Sequence, residues 1–444
     1  MQQSQRRTGK LWLSVITALC GFPVILGISD ALWLELLAII LFTSLVFLTA
    51  TLMRRSSYVI ILVLVVIGIA ILPSFPEIPE LRKAGHFVLV FGCLMPVLTL
   101  IRATAMSMPS VWQTQKRLAE LPPMASASGL QLTAHILGGV LNIGTFALIS
   151  ASMPQDADDD RRRIAAEAAL RGMNSAVIWS PFFVSFAVGS AYLPAGFQTG
   201  AIMAGIVTAS LFFFVNLLIT AFAGGGFALI ASLRPLAPIA SRLAIIFICV
   251  IVIGYQFNLT ALLAVIVSMP ILCAVQILRR PETARQIQHH FSALQRSGGD
   301  EFVIISISMI IAALAADSPV LGSVLMTIFG EQPEVWMKVW MLPTIVWFCS
   351  LAGVHPVISS APLLAFFAPM ITPFDAIFVM QAHMIGWAAG TMTSFSSMSV
   401  VTVAEQFSLR PMRLAFGRNL FYSALLAIGG GGLWAGVYSL MAGQ

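Results

Sequence analysis

Charged residues are scarce in this chain. Only 9% of its 444 residues are Asp, Glu, Lys or Arg, whereas 59% are hydrophobic, and the mean hydropathy is +0.94. Soluble globular domains carry roughly a quarter charged residues, so this composition excludes a soluble fold. A helix that crosses a bilayer needs about 20 mostly apolar residues, and the chain contains many such runs. The composition therefore predicts an all-α, polytopic membrane protein.

Cysteines and ligand-binding motifs are also few. The five cysteines lie scattered in apolar segments without a CxxC pair, which excludes a disulfide framework and a zinc site. The sequence has no nucleotide-binding motif of the type GxxxxGKS/T, so nothing in it indicates ATP-driven chemistry. We expect no cofactor, no bound metal and no catalytic residues, apart from Na⁺ as a candidate coupling ion.

Acidic residues are missing from the middle of the apolar segments. Glu35 and Asp375 fall near segment ends, and Glu405 lies near the expected cytoplasmic side. Cation/proton antiporters usually need buried carboxylates at mid-membrane. Their absence from the sequence pattern favours a neutral, hydroxyl-rich cavity that suits an anion.

The basic residues are concentrated in short loops. With the N-terminus in the cytoplasm, all 24 Lys and Arg except Arg82, Lys83 and Lys338 fall on the cytoplasmic side. This bias sets the orientation of membrane proteins, and it argues against nucleic acid as a partner. It predicts a multi-pass protein of the plasma (cell inner) membrane. No small-x-small cleavage site follows the first apolar segment, so we expect that segment to be retained.

Eleven membrane spans and two interrupted apolar runs follow from the hydropathy pattern. The spans are expected near 11–28, 31–53, 57–73, 85–105, 172–195, 199–223, 241–257, 260–278, 301–316, 376–403 and 416–441. The interrupted runs, 124–152 and 334–372, preserve the charge bias only if each enters and leaves the membrane on one side. Both are therefore predicted to be re-entrant hairpins.

The two halves of the chain share an order of features. HILGGVLNIGTFALIS (His135–Ser150) and SLAGVHPVISSAPLL (Ser350–Leu364) each join two apolar arms through a turn of small residues. Each is followed by a segment rich in polar residues, GMNSAVIWSP or GTMTSFSSMS, and then by a glycine run, Gly224–Gly226 or Gly429–Gly432. The predicted parts are an N-terminal helix (1–30), a first repeat (31–240, hairpin 124–152, broken helix 172–195), helices with a cytoplasmic connector (241–300), and a second repeat core (301–444, hairpin 334–372, broken helix 376–403).

The first hairpin is predicted to enter from the cytoplasm and the second from outside, so the repeats are inverted. Inverted repeats with discontinuous helices are typical of secondary transporters. Irregular backbone at membrane depth persists only inside protein or beside a water-filled cavity. Helix ends at that depth expose N–H groups that can bind an anion, and freed carbonyls can hold a small cation.

Eleven polar residues at the hairpin tips and helix breaks are the candidate ligands for substrate or ion. They are Asn142, Thr145, Asn174, Ser175, His355, Ser359, Ser360, Thr393, Ser394, Ser396 and Ser397. Each hydroxyl has an alternative role, because Ser and Thr in membrane helices commonly bond back to helix carbonyls. His355 can donate to an anion or exchange a proton, or it can fix the turn by bonding a nearby carbonyl. His135 and His383 are secondary candidates.

This arrangement resembles the ion transporter superfamily, which includes divalent anion/sodium symporters and the large membrane subunits of TRAP transporters. The resemblance covers about residues 30 to 441 at the level of architecture. It implies an elevator mechanism in which hairpins and broken helices form a transport domain that slides against a scaffold. The divalent-anion members carry Ser-Asn-Thr motifs at the hairpin tips. Neither Asn142–Thr145 nor Ser359–Ser360 contains that triplet, so only the fold and the mode of transport are carried over.

The sequence thus predicts a secondary active transporter for a small anion, coupled to Na⁺ or H⁺, with no enzymatic activity. Its expected partners are the anion, the lipid bilayer and a second copy of the chain. One alternative is a polytopic membrane enzyme, such as a lipid-linked group transferase, with Asp156–Asp160 as its acidic site. These acids also suit the N-terminus of the helix that follows them. The other alternative is a channel or a membrane subunit that depends on a partner.

Overall fold

The structure is a computed structural model that describes every residue except 1, 29, 30, 52, 54, 73–81, 122, 155, 195, 223–228, 298 and 444. The described residues form helices and no strand. The α-helices are α1 (Gln2–Ile25), α2 (Leu32–Ala50), α3 (Arg55–Ile71), α4 (Arg82–Met106), α5 (Pro109–Ala119), α6 (Pro123–Leu141), α7 (Gly144–Ser150), α8 (Asp159–Ala176), α9 (Val184–Tyr192), α10 (Gln198–Phe222), α11 (Leu229–Leu233), α12 (Ala237–Gln256), α13 (Ala261–Arg279), α14 (Ala284–Ser297), α15 (Gly299–Ala316), α16 (Pro319–Phe329), α17 (Val335–Leu351), α18 (Pro356–Phe367), α19 (Pro373–Thr393), α20 (Met398–Gln406), α21 (Pro411–Ala415), α22 (Arg418–Ala424) and α23 (Gly431–Ala442).

Six helical segments in the described part of the chain are long and apolar enough to cross a membrane. They are Leu32–Ala50, Val88–Met106, Gln198–Asn216, Ala231–Gln256, Ala261–Arg279 and Arg418–Ala442. A seventh candidate is the pair α15–α16, which bends by 69° between Ala316 and Pro319. The all-helical class is confirmed, and these helices are compatible with a polytopic membrane protein. The count of eleven spans stays a prediction.

The chain folds into two compact units, each built from two separate stretches of sequence. The first unit comprises Met1–Ser107 and Val250–Ile328, and the second comprises Met108–Cys249 and Phe329–Gln444. The units therefore do not follow the predicted parts of the sequence, because each one collects helices from both repeats. The second unit contains both predicted hairpins and both predicted broken helices.

In the first unit, α4 is the central helix. It packs against α1, α2, α13, α14 and α15, and its residues Leu89 and Leu94 are fully buried. A helix that is apolar on all sides is expected to lie in a core of this kind. The connector between the predicted repeats contains α14, which buries Ile287 while Arg285 on the same helix is exposed.

In the second unit, the first arm of each predicted hairpin packs against the first half of the broken helix that follows it. These helix pairs are α6 with α8, and α17 with α19. Glycines permit both close approaches. A Cβ at Gly172 of α8 would meet the Gln131 carbonyl oxygen and the Ala134 side chain of α6. A Cβ at Gly390 of α19 would meet the Ser350 side chain of α17. Small residues at such contacts let membrane helices approach closely.

Candidate functional site

The first predicted hairpin is a helix–turn–helix formed by α6 and α7. Asn142 occupies the turn with φ of 54°, a left-handed conformation that Asn tolerates better than most residues. Its side-chain Oδ1 accepts the Ile143 backbone N–H at 2.7 Å. The Asn142 side chain therefore stabilises the turn in which it lies.

The second hairpin is formed by α17 and α18, and its turn uses different residues. Gly353 has φ of 85°, where a residue with a side chain would be strained. His355 is the N-cap of α18, and its Nδ1 accepts the Val357 backbone N–H at 3.3 Å. Pro356 follows at the first helical position, where the missing N–H costs nothing. The sequence prediction placed His355 at this tip, and the structure assigns it the capping role.

Both predicted broken helices are interrupted. In the first repeat the chain leaves helical geometry after Ala176 and resumes it at Val184. Ser180 in this break donates to the Gly139 carbonyl oxygen at 2.5 Å and accepts the Phe182 backbone N–H at 3.2 Å. The Ser180 side chain thus satisfies the Phe182 N–H, which the break leaves without a helical partner, and ties the break to α6.

α19 supplies two further side chains to this region of the first repeat. Gln381 donates to the carbonyl oxygens of Ile178 at 3.4 Å and Ala201 at 2.5 Å. His383 is fully buried, and its Nε2 lies 2.9 Å from the Ser185 carbonyl oxygen. A carbonyl can only accept, so Nε2 carries the proton. The His383 Nδ1 has no hydrogen-bond partner among the described residues.

The break in the second repeat lies between α19 and α20. Ser396 donates to the Gly353 carbonyl oxygen at the hairpin tip at 2.8 Å, and it lies 3.0 Å from the Ser394 hydroxyl. Ser397 caps α20 by accepting the Val400 backbone N–H, and it donates to the Thr391 carbonyl oxygen at 2.7 Å. In both repeats, therefore, a serine of the break donates to a carbonyl of the preceding hairpin.

One of the hydrogen bonds between the two predicted repeats joins corresponding positions. The Thr391 hydroxyl lies 2.7 Å from Asn174 Oδ1 and 2.8 Å from the Trp387 carbonyl oxygen of its own helix, so its one proton is shared between these two acceptors. Asn174 stands two residues before the end of α8, and Thr391 stands two residues before the end of α19. The short second helices of the two hairpins, α7 and α18, also contact the other predicted repeat. α7 packs against α20, and α18 packs against α9. Each short arm thus contacts the second half of the broken helix from the other repeat.

Two candidate hydroxyls are buried without a partner. Thr145 on α7 and Ser360 on α18 are both fully buried, and their oxygens have no hydrogen-bond partner among the described residues. Leaving such a group unsatisfied costs about 1–3 kcal/mol. One such hydroxyl lies on the short second helix of each hairpin. A water molecule or a cation that bound there would remove this energetic cost.

Four of the other candidate residues bond to carbonyls of their own helices. Ser175 donates to the Gly172 carbonyl oxygen, Ser359 to Pro356 and Thr393 to Ala389, as expected from the alternative role of membrane hydroxyls. Asn174 also uses its Nδ2 on the Leu170 carbonyl oxygen.

His135 forms a hydrogen-bond chain beside the first break. Trp179 Nε1 donates to His135 Nε2 at 3.2 Å, so the proton of the neutral ring lies on Nδ1. Nδ1 in turn lies 2.9 Å from the Ser175 hydroxyl oxygen. Both ring nitrogens are therefore engaged, and His135 holds the break against the first hairpin.

One feature of this region was missed in the sequence. Arg171 is buried on α8, where it donates to Asn419 Oδ1 at 2.8 Å and lies 4.6 Å from the centre of the Tyr422 ring. The positive-inside pattern predicts that Arg171 lies in a cytoplasmic segment with Arg161–Arg163. The Ala-rich run from Ala165 to Ala169 signalled a helix, but its partners on α22 lie almost 250 positions away.

Comparison with known proteins assigns no family to this chain. No protein-family model matches it, and no curated protein matches it.

Proposed function

We propose that the protein is a secondary active transporter that moves a small anion by an elevator-type alternating-access mechanism. The observation that carries the proposal is the exchanged arrangement of two hairpins and two broken helices, joined by the Asn174–Thr391 bond. Inverted repeats of this kind bring unwound backbone to the middle of a membrane, where it can bind solutes. The resemblance to the ion transporter superfamily supports the same mode of transport.

Helix ends and one histidine favour an anionic substrate. His355 Nδ1 accepts a backbone N–H, so its Nε2 carries the proton and can donate. This donor stands at the N-terminus of the 12-residue α18, whose dipole attracts negative charge. No Asp or Glu is among the eleven candidate residues, so the proposed site carries no carboxylate that would repel the substrate.

Na⁺ or H⁺ is the coupling ion in this proposal. The buried hydroxyls of Thr145 and Ser360 offer oxygen ligands to Na⁺. The His383 Nδ1 offers a site for a proton, since it is buried without a partner among the described residues. A cation bound beside the anion reduces its electrostatic cost of entering the membrane.

The division of the chain into two compact units supports an elevator mechanism. We infer that the second unit, which holds both hairpins, carries the substrate, and that the first unit is the scaffold. In this reading the chain has eleven spans with its N-terminus in the cytoplasm, and both hairpins are re-entrant. The scaffold is the natural place for contact in a homodimer.

Proteoliposome uptake tests the proposal. The purified protein should accumulate a labelled small anion only when an inward Na⁺ or H⁺ gradient is imposed, and the rate should saturate without any added protein. Dissipation of the gradient with an ionophore should abolish accumulation. Uptake that requires a second protein, or flux that does not saturate, would instead favour the partner-dependent subunit or the channel.

The acidic run distinguishes the transporter from the membrane enzyme. Asp158 caps α8 by accepting the Arg161 backbone N–H at 2.7 Å. Asp159 and Asp160 form ion pairs with Arg162 at 3.0 Å and Arg163 at 3.2 Å. These exposed contacts suit a helix N-terminus. The variant Asp159→Asn/Asp160→Asn should therefore keep uptake within about twofold, because exposed ion pairs contribute little.

A further inference from the structure

The first unit contains a groove that runs along α2 and has a volume of about 730 Å³. Its α2 wall is a stripe of residues three or four positions apart from Leu32 to Ala50, and α3, α4 and α15 complete it. At about 1.5 Å per residue, a helix of 19 residues is close to the roughly 30 Å thickness of the hydrocarbon layer. The groove therefore extends along the acyl-chain region of a bilayer.

The walls of the groove are apolar because its hydroxyl groups are engaged. Thr43 donates to the Ile39 carbonyl oxygen at 2.8 Å, and Ser306 donates to the Phe302 carbonyl oxygen at 2.6 Å. The Tyr58 hydroxyl donates to the Ala50 carbonyl oxygen at 2.6 Å. These bonds leave a surface that suits a hydrocarbon chain better than water.

One end of the groove differs in charge. Glu35, in the first turn of α2, is the one formally charged residue among those that line the groove in the described part of the chain. The neighbouring Trp33 is 67% exposed, and exposed Trp side chains concentrate where acyl chains meet headgroups. A carboxylate at this level repels an anionic headgroup and attracts an ammonium group.

The volume indicates what fills the groove. A space of about 730 Å³ along α2 has room for one long acyl chain.

We propose that this groove binds one phospholipid through an acyl chain and that Glu35 selects an amine-bearing headgroup, such as that of phosphatidylethanolamine. A carboxylate has about four acceptor positions, so it can bond an ammonium group in addition to protein groups. This proposal does not rest on the proposed transport function, because none of the residues that line the groove is a candidate ligand for substrate or ion.

Native mass spectrometry of the full chain in detergent tests the proposal. The protein is mixed with equal amounts of phosphatidylethanolamine, phosphatidylglycerol and phosphatidylcholine. Wild type should retain one lipid per chain. The fraction of chains that carry phosphatidylethanolamine should be about five times the fraction that carry phosphatidylglycerol, the range that one partly exposed ion pair supports. Glu35→Gln should reduce that ratio to near one, whereas Glu331→Gln, which removes an exposed charge outside the groove, should not change it.

A second pair of variants tests the groove itself. Thr43→Phe inserts a ring into the groove and should lower total lipid retention at least fivefold, while Ser44→Phe adds the same ring to an exposed position outside the groove and should leave retention unchanged. Equal retention of the three lipids by wild type would overturn the headgroup assignment. Lipid-free dimers that Thr43→Phe converts to monomers would overturn the lipid assignment and assign the groove to a second copy.

Discussion

The Thr391 hydroxyl and the Asn174 side chain form the single hydrogen bond on which the proposed site depends most. Asn174 is fully buried, and its two polar atoms bond Thr391 and Leu170. Removing the donor leaves Asn174 Oδ1 buried without a partner, which is the costly way to break a hydrogen bond. The bond should therefore contribute to both stability and transport.

We expect Thr391→Val to destabilise the protein by about 1–2 kcal/mol and to lower anion uptake. The double variant Asn174→Leu/Thr391→Val should cost less than the sum of the single changes, because the two residues interact. Thermal unfolding in detergent measures both effects. Thr344→Val is the matched control, since Thr344 bonds the carbonyl of its own helix. Strictly additive single and double variants would contradict an energetic coupling between Asn174 and Thr391.

His355 supports a second prediction at the residue scale. His355→Ala removes the cap of α18 and the Nε2–H donor, so KM for the anion should rise about tenfold, the effect of one hydrogen bond to a charged group. His355→Asn should recover part of the loss, because Asn caps helices well and retains a donor. Initial uptake rates against anion concentration provide the measurement. His289→Ala changes an exposed residue of the connector and should leave KM unchanged. An equal rise in KM for both variants would contradict the assignment of His355 to the binding site.

The close contact between α6 and α8 at Gly172 lies about one helical turn before the first break. At Gly172 a Cβ would collide with backbone and with Ala134, and neither can move away cheaply. Gly172→Ala should therefore destabilise the protein by about 1–3 kcal/mol, the usual cost of overpacking. Gly322→Ala on α16 is the control, because a Cβ there meets nothing within 4 Å and helix propensity improves. In thermal unfolding, Gly322→Ala should have a Tm equal to or above that of wild type, and Gly172→Ala should have a lower one. A Tm of Gly172→Ala at or above that of wild type would contradict the close contact.

Uninterrupted apolar elements could be predicted from sequence, and the interrupted ones only in part. The span expected at 199–223 corresponds to α10 and the span at 260–278 to α13, because hydropathy alone marks both. The broken helix expected at 172–195 instead begins at Asp159 with α8. Its first turns carry acids and arginines that resemble a solvated loop, although they cap and pair within a helix.

The candidate site was located by composition, but its pairings were not. The stretch GTMTSFSSMS was identified from its hydroxyl content, and Ser396 and Ser397 do hold the second break. Thr391 lies in that stretch, yet its bond to Asn174 spans 217 positions of sequence. Periodicity and composition report local structure, so a contact between two repeats cannot be read from either. The glycine run Gly224–Gly226 lies outside the described residues.

At the scale of the whole molecule, the proposal that both hairpins are re-entrant can be tested by chemical labelling. In a cysteine-free background, Glu120→Cys and Asp156→Cys flank the first hairpin, and Glu331→Cys and Phe374→Cys flank the second; all four positions are exposed. A membrane-impermeant thiol reagent should label the first pair only from the cytoplasm and the second pair only from outside. Gln288→Cys in the connector is the cytoplasmic control. Opposite labelling within either pair would mean a full crossing and would refute the inverted repeat.

The exchanged packing of α7 against α20 has a consequence for biogenesis. The Ser150 hydroxyl lies 3.2 Å from Gln406 Oε1, 256 positions later in the chain. The ribosome adds about 5–20 residues per second. It therefore synthesises Gln406 roughly 13–50 s after Ser150. Throughout that interval α7 lacks its native contact with α20. The native packing of the first hairpin is therefore completed only after nearly the whole polypeptide has been synthesised.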